Sequence, residues 1–213
     1  MKYKLIVFDL DGTLIDTLSD IEYIFNYILS INHFPVKSNL FYKKNIGNGV
    51  EDLLRKCLPK NFNGDFEELL NSTKKHYKIK LNSKTKIFDG IIPVLDILKK
   101  NRIKMAIISN KPHQLALKSV KKYFNLYKMK VIGAGSGYPR KPDPSSLEHL
   151  INLYNFSLSD VLFIGDSTID IKTAHNAEIQ CAGVLWGNGT KEEFVKQRAN
   201  FILCKPKEIL QIM

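Results

Sequence analysis

Lys4-Leu5-Ile6-Val7-Phe8-Asp9-Leu10-Asp11-Gly12-Thr13-Leu14 is the stretch that decides how this chain folds. Four apolar, largely β-favouring residues run into two carboxylates two positions apart, followed by a glycine and a hydroxyl. The apolar run has the length and composition of a buried strand. A strand cannot hold Asp9 and Asp11 beside its apolar neighbours without a counter-charge, because an unpaired buried carboxylate is too costly, and a divalent cation would supply one. The competing reading is a strand-to-turn junction in which Asp and Gly act only as turn formers. Residues further along the chain have to decide between the two.

Composition narrows the classes. With 213 residues, 44% hydrophobic and 25% charged, the chain can bury a substantial core. It contains no apolar run near the roughly 18 residues that span a bilayer. Lys2 and Lys4 precede only a short apolar run broken at Asp9, which is not a secretory signal, so a cytoplasmic protein without membrane association is expected. Cys57, Cys181 and Cys204 have no C-x-x-C spacing; they are expected to be buried thiols rather than disulfide or zinc ligands. His33, His76, His113, His149 and His175 likewise show no ligand spacing and are expected to be structural or exposed.

The formal net charge is +11, and residues 81–130 carry 12 of the 32 basic residues but 2 of the 21 acidic ones. Within that block Lys99, Lys100, Arg102 and Lys104 fall at an expected helix end, where cations complement the helix dipole, and Lys118, Lys121 and Lys122 share a helical face. A solvated basic face is expected rather than a nucleic-acid surface, since no aromatic-interleaved basic motif or recognition-helix signature accompanies it.

After Thr13 the pattern changes. Leu18, Ile21, Phe25, Ile28 and Leu29 recur at helical spacing, with Ser19 or Asp16 available as a cap. Further helical stretches follow around residues 40–44, 50–57 and 66–77, the first two separated by Ile46-Gly47-Asn48-Gly49. Residues 15–80 therefore read as a helical insertion, with 81–86 as a linker, between residues 1–14 and a core that resumes at 87. From Phe88 onward strands and helices alternate, the strands lying near 104–108, 130–133, 161–164, 180–185 and 201–203. The fold class is α/β: a Rossmann-like parallel sheet with helices on both faces, plus an inserted α-helical cap.

In such sheets ligand groups gather outside the carboxyl ends of the strands. Asp9 and Asp11, Ser109 and Asn110, and Gly165-Asp166-x-x-x-Asp170 each follow an apolar strand, while Lys141 lies in the loop after one. Asp166 then joins Asp9 and Asp11 around a hard cation of the Mg²⁺ type. Ser109, Asn110 and Lys141 offer the donors and the positive charge that a phosphoryl group requires. Singly, Ser109-Asn110 could be a helix cap, Lys141 a surface lysine, and Asp166 and Asp170 capping acids. Their joint occurrence, in order and each at a strand's end, favours a site.

Phe8-Asp9-Leu10-Asp11-Gly12-Thr13, Ser109-Asn110, Lys141-Pro142 and Gly165-Asp166-Ser167-x-x-Asp170 together resemble the four motifs of the haloacid dehalogenase superfamily. The helical insertion resembles that of the subclass with a mobile cap. Ile46-Gly47-Asn48-Gly49, Ser109-Asn110-Lys111, Lys141-Pro142-Asp143-Pro144 and Gly183-Val184-Leu185-Trp186-Gly187 are most similar to phosphoglycolate phosphatases. The resemblance implies hydrolysis of a small phosphate ester with Mg²⁺ as cofactor. Asp9 would be nucleophile and metal ligand, and Asp11 proton carrier and ligand through its backbone carbonyl. Thr13 and Ser109 would contact the phosphoryl group, Asn110 would orient the substrate, and Lys141 would bridge phosphate and nucleophile. Asp166 and Asp170 would hold the metal and its waters, and Gly47 and Asn48 would read the substrate's other end. A pyrophosphatase, a phosphosugar phosphatase or mutase of the same superfamily, and a non-enzymatic binding module using the basic face are the alternatives. A dehalogenase is disfavoured, because that chemistry does not need Asp11. Either a monomer or a homodimer is compatible with the sequence.

Overall fold

The computed structural model describes residues 2–213. The chain divides into two compact units, one made of the stretch up to Asp16 together with Ile87–Met213, the other Thr17–Lys86. In order, the elements are β1 (Leu5–Phe8), β2 (Ile15–Asp16), α1 (Leu18–Ile31), α2 (Asn39–Asn45), α3 (Val50–Cys57), α4 (Phe66–Lys80), β3 (Lys86–Ile87), α5 (Ile91–Lys100), β4 (Lys104–Pro112), α6 (His113–Tyr123), β5 (Lys130–Ala134), α7 (Ser145–Tyr154), β6 (Val161–Gly165), α8 (Thr168–Asn176), β7 (Gln180–Val184), α9 (Lys191–Lys196) and β8 (Phe201–Leu203). A 3₁₀ turn, Pro206–Gln211, ends the series.

Six parallel strands form the sheet in the order β5-β4-β1-β6-β7-β8, and β2 pairs with β3 in a separate ribbon. β1 lies inside the sheet between β4 and β6, with Phe8 aligned with Ile107 on one side and Ile164 on the other. Its position explains its composition, because a strand covered on both faces carries apolar side chains without interruption. Side chains alternate: Ile6 and Phe8 join the cluster that contains Leu95, Leu98, Val120 and Phe124 of α5, α6 and the segment after it. Leu5 and Val7 join the opposite cluster, with Leu147, Leu150, Ile171 and Ala174 of α7 and α8. The α/β fold expected from the sequence is therefore the one observed. Its topology places the chain reversal at β1, so the loops after β1, β4, β5 and β6 share one rim.

Three local expectations are corrected. β4 runs to Pro112 rather than ending at Ile108, because its pairing with β5 resumes beyond an irregularity between Ser109 and Pro112, so Ser109, Asn110 and Lys111 are strand residues. Thr17, not Ser19 or Asp16, occupies the N-cap of α1, and it makes no side-chain cap bond. Cys57 and Cys181 are buried as expected, but Cys204 is exposed, since it follows the last strand where the chain passes along the surface.

The helical unit buries Ile21, Ile24, Phe25, Ile28 and Leu29 of α1 together with Leu53, Leu54, Leu69, Leu70 and Tyr77. Asp20, in the first turn of α1, is fully buried. Its carboxylate accepts from Ser83 Oγ at 2.7 Å, Lys84 N at 2.8 Å, Thr85 N at 3.0 Å and also Thr85 Oγ1. One acid thus closes the unit by tying the end of its chain to the start of its first helix.

Candidate active site

Asp9 follows β1 directly, and its backbone N–H donates to Ile164 O at 2.9 Å, which extends the sheet pairing into the rim. Two residues after Asp11's neighbour Leu10, the chain must turn at Gly12, where φ is 90°. A Cβ at Gly12 would lie 2.1 Å from Asp166 Oδ2, so only glycine lets the backbone pass this carboxylate. Thr13 Oγ1 donates to Asp166 Oδ1 at 3.2 Å, and Trp186 Nε1 donates to Thr13 O at 2.9 Å.

Asp166 follows β6, and its Oδ2 accepts from both Asn188 N at 2.9 Å and Asn188 Nδ2 at 2.8 Å. Asp170 has two tasks. Its Oδ2 accepts from Ser167 N at 2.9 Å and Ser167 Oγ at 2.6 Å, completing a capping box on α8, while its Oδ1 accepts from Lys141 Nζ at 2.6 Å. The same ammonium donates to Asp9 Oδ1 at 2.6 Å. Lys141 is therefore a buried bridge between two carboxylates, not a surface lysine. Asn110 sets its backbone: the amide oxygen accepts from Lys141 N at 2.9 Å and the amide nitrogen donates to Lys141 O at 3.1 Å. Ser109 is buried, and its Oγ accepts from Lys111 N at 3.3 Å.

Asp9, Asp166 and Asp170 each offer an oxygen within 4.8 Å of the others, and all three are buried. Burial raises the Asp9 carboxyl to about 7, with Asp170 and Asp11 adding to the rise and Lys141 opposing it. Asp166 is pushed up to about 8 by burial and by Asp9 and Asp170, against the hydrogen bonds from Asn188. Burial works to lower the Lys141 ammonium, but Asp170 and Asp9 outweigh it and raise it above the ordinary lysine range. Three carboxylates facing one ammonium leave an excess of negative charge, which a cation relieves. The donors are all oxygens, the set that hard divalent cations take. Room is kept by glycine here too: a Cβ on Gly187 would meet Gly12 O at 2.2 Å and Asp166 Cβ at 2.4 Å. The residues present fit a Mg²⁺-type ion.

Asp11 stands apart from this cluster. Its two carboxylate oxygens accept from Lys111 Nζ at 2.7 and 3.0 Å, and the lysine side chain is wholly buried. Lys111 and Asn188 are site neighbours that sequence reasoning gave no role. Lys111 could have been noticed as a cation directly following Ser109-Asn110. Asn188 carries no signal beyond its place in a loop after a parallel strand. Gly47 and Asn48 belong to the helical unit, between α2 and α3, with Gly47 at φ 133°.

The sequence model of the haloacid dehalogenase-like hydrolases matches residues 6–184, a span that holds Asp9, Asp11, Thr13, Ser109, Asn110, Lys141, Asp166 and Asp170. The chain belongs to this family. Among its relatives, phosphoglycolate phosphatase 1 of Pseudomonas aeruginosa is 27% identical over 97% of this chain and 78% of its own length. The phosphoglycolate phosphatase of Aquifex aeolicus is 29% identical over 99% of this chain and 96% of its own. A solved structure from Lactobacillus delbrueckii subsp. bulgaricus superposes on this hydrolase with a TM-score of 0.92 at 26% identity, covering 100% of this chain and 98% of that one. Among the described residues of this hydrolase, no helix is long and apolar enough to cross a membrane.

Proposed function

We propose that this hydrolase is a Mg²⁺-dependent phosphatase that cleaves a small phosphate monoester, 2-phosphoglycolate first among candidates, through an aspartyl-phosphate on Asp9. One observation carries the reading: the Lys141 ammonium is shared at 2.6 Å between Asp9 and Asp170, inside a buried oxygen cluster completed by Asp166. A carboxylate so held is fixed in direction, and as an anion it attacks phosphorus without a base. Asp9, Asp166 and Asp170 would hold the cation, with the Asp11 backbone carbonyl as a further ligand by family resemblance. Bound there, Mg²⁺ supplies charge neutralisation between carboxylates and phosphoryl oxygens.

The chain's own groups account for the remaining steps. As the Asp9 oxygen bonds to phosphorus and the ester P–O bond breaks, Asp11, which takes up a proton from solvent before this step, gives it to the departing alkoxide. Asp11, now a carboxylate, takes a proton from the water that attacks the aspartyl-phosphate. The bond between phosphorus and Asp9 breaks, and inorganic phosphate leaves with both acids restored. Lys141 faces the developing phosphoryl charge, and Thr13 and Ser109 line the same position. Asn110, through its double bond to the Lys141 peptide, keeps that ammonium in register. Substrate choice is assigned to the helical unit through Gly47 and Asn48.

Turnover of 2-phosphoglycolate, pyrophosphate, hexose phosphates and nucleotides by the wild type, set against Asp9→Asn, tests the reading. Mg²⁺-dependent phosphate release lost in the variant is expected. Undiminished release by Asp9→Asn would overturn the covalent route, and preference for pyrophosphate or a hexose phosphate would replace the substrate.

A further inference from the structure

Lys111 is the second buried lysine of the core unit, and it is not shared with the cluster around Lys141. An ammonium with no exposed surface requires a partner, and its partner is the Asp11 carboxylate, met at both oxygens. Asp11 retains some exposure, 14% of its side chain, so it is the accessible member of the pair. Among the described residues, Lys111 Nζ is the one group that hydrogen-bonds the Asp11 carboxylate in this structure. The backbone on either side is also fixed: Asp11 forms a β-bridge with Ile15, and Gly12 N donates to Ile15 O at 2.8 Å. Lys111 itself stands on β4 between two residues paired to β5, Ser109 with Gly133 and Pro112 with Ala134. The lysine therefore sits within a β4 irregularity flanked by two paired positions, while the carboxyl it grips lies on a turn.

We infer that Lys111 is the positioning residue for Asp11, fixing the direction in which that carboxyl meets the leaving-group oxygen. The inference rests on Asp11 being the proton carrier. Lys111 bonds both oxygens of the second carboxyl, and the inferred role runs through that contact. Its removal should damage proton delivery and spare the phosphoryl clamp formed by Asp9, Lys141 and Asp166. That separation has a chemical signature. An alkoxide leaves poorly without a proton, whereas p-nitrophenolate leaves readily without one. General-acid assistance is typically worth a factor of about 10² to 10⁴, and misplacing a reacting group by about 1 Å can cost on the order of 10².

The test compares kcat/KM, which reports the phosphorylation step, for ethyl phosphate and p-nitrophenyl phosphate in wild type, Lys111→Met, Asp11→Asn and the double variant, all with Mg²⁺. Lys111→Met is expected to lose roughly 10²-fold on ethyl phosphate and at least about tenfold less on p-nitrophenyl phosphate. Lys111→Arg should recover part of the alkyl-ester loss. In the double variant the alkyl-ester loss should not exceed that of Asp11→Asn, because the two residues act as one unit. Equal losses on both esters, or additive losses in the double variant, overturn the inference and leave the phosphatase reading standing. If Asp11→Asn retains wild-type rates on both esters, the proton-carrier assignment fails and the inference falls with it. Far-UV circular dichroism melts accompany each variant; should Lys111→Met not fold, Lys111→Gln carries the same comparison with the same deciding outcomes.

Discussion

Asp20 and Asp166 are both buried aspartates near the start of a helix, one in each unit, and their surroundings treat them oppositely. Burial works to raise Asp20, but the hydroxyl donors of Thr85 and Ser83 and the backbone N–H groups of Lys84 and Thr85 outweigh it and hold its carboxyl below the usual range. Asp166 receives donors too, from Asn188 and Thr13, yet it is pushed up to about 8 because burial is compounded by Asp9 and Asp170. Asp20 is a finished structural contact. Asp166 belongs to a group of charges that this chain leaves uncompensated, and the deficit is what distinguishes a binding site from a fold-closing hydrogen-bond cluster.

Activity should break the comparison most sharply. Asp9→Asn is expected to lower kcat by about 10⁴ or more, as losses of a covalent nucleophile do, while Asp20→Asn leaves kcat of the remaining folded protein within about threefold. A phosphate-release assay on both variants, normalised to folded fraction, checks it. Next comes cation dependence. Asp166→Asn should remove the rise in melting temperature that Mg²⁺ produces in the wild type, and without Mg²⁺ above about pH 8, where Asp166 is charged, it should melt no lower than the wild type, because a repelling charge has been deleted.

Stability runs the other way in the helical unit. Asp20→Asn keeps the size of the side chain but loses charge-assisted acceptance from several donors, an expected cost of about 1.5–3 kcal/mol by urea denaturation. Proton linkage gives the smallest effect, with opposite signs in the two units. Asp20, lowered on folding, contributes stability that is present above its unfolded pKa near 4 and lost as pH falls through its folded value. Asp9 and Asp166, raised to about 7 and about 8, keep their protons longer in the folded state. The folded protein then binds more protons than the unfolded one between about pH 4 and 8, so the cluster's contribution to metal-free stability falls as pH rises. Melting scans should show Mg²⁺ raising the melting temperature more at pH 8 than at pH 6.

The same contrast governs what could be read from the sequence. Strand-end acids announce themselves, because Asp9 and Asp166 interrupt apolar runs and the parallel topology fixes where such interruptions meet. Asp20 does not, since nothing in Leu18-Ser19-Asp20-Ile21 reveals acceptance from donors 63 to 65 positions later. The end of β4 was equally hidden, because continued pairing with β5 rather than the polarity of Ser109 and Asn110 determines where the strand stops. Lys111 and Asn188 needed the fold, for a lysine's partner 100 positions away and an amide's carboxylate 22 positions away are set by tertiary packing and not by local pattern. Asp170 was open between capping acid and site carboxylate; its two oxygens do one task each.

Calorimetric titration of Mg²⁺ near pH 7, in buffers of different ionisation enthalpy, addresses the uncompensated cluster most directly. If Asp9 and Asp166 hold protons that the cation displaces, binding will release protons at pH 7, the release will shrink by pH 9, and Asp166→Asn will weaken binding and reduce the release. Mg²⁺ binding with no proton release at pH 7, or equal binding by Asp166→Asn, would contradict the assignment of these buried carboxylates as a cation site.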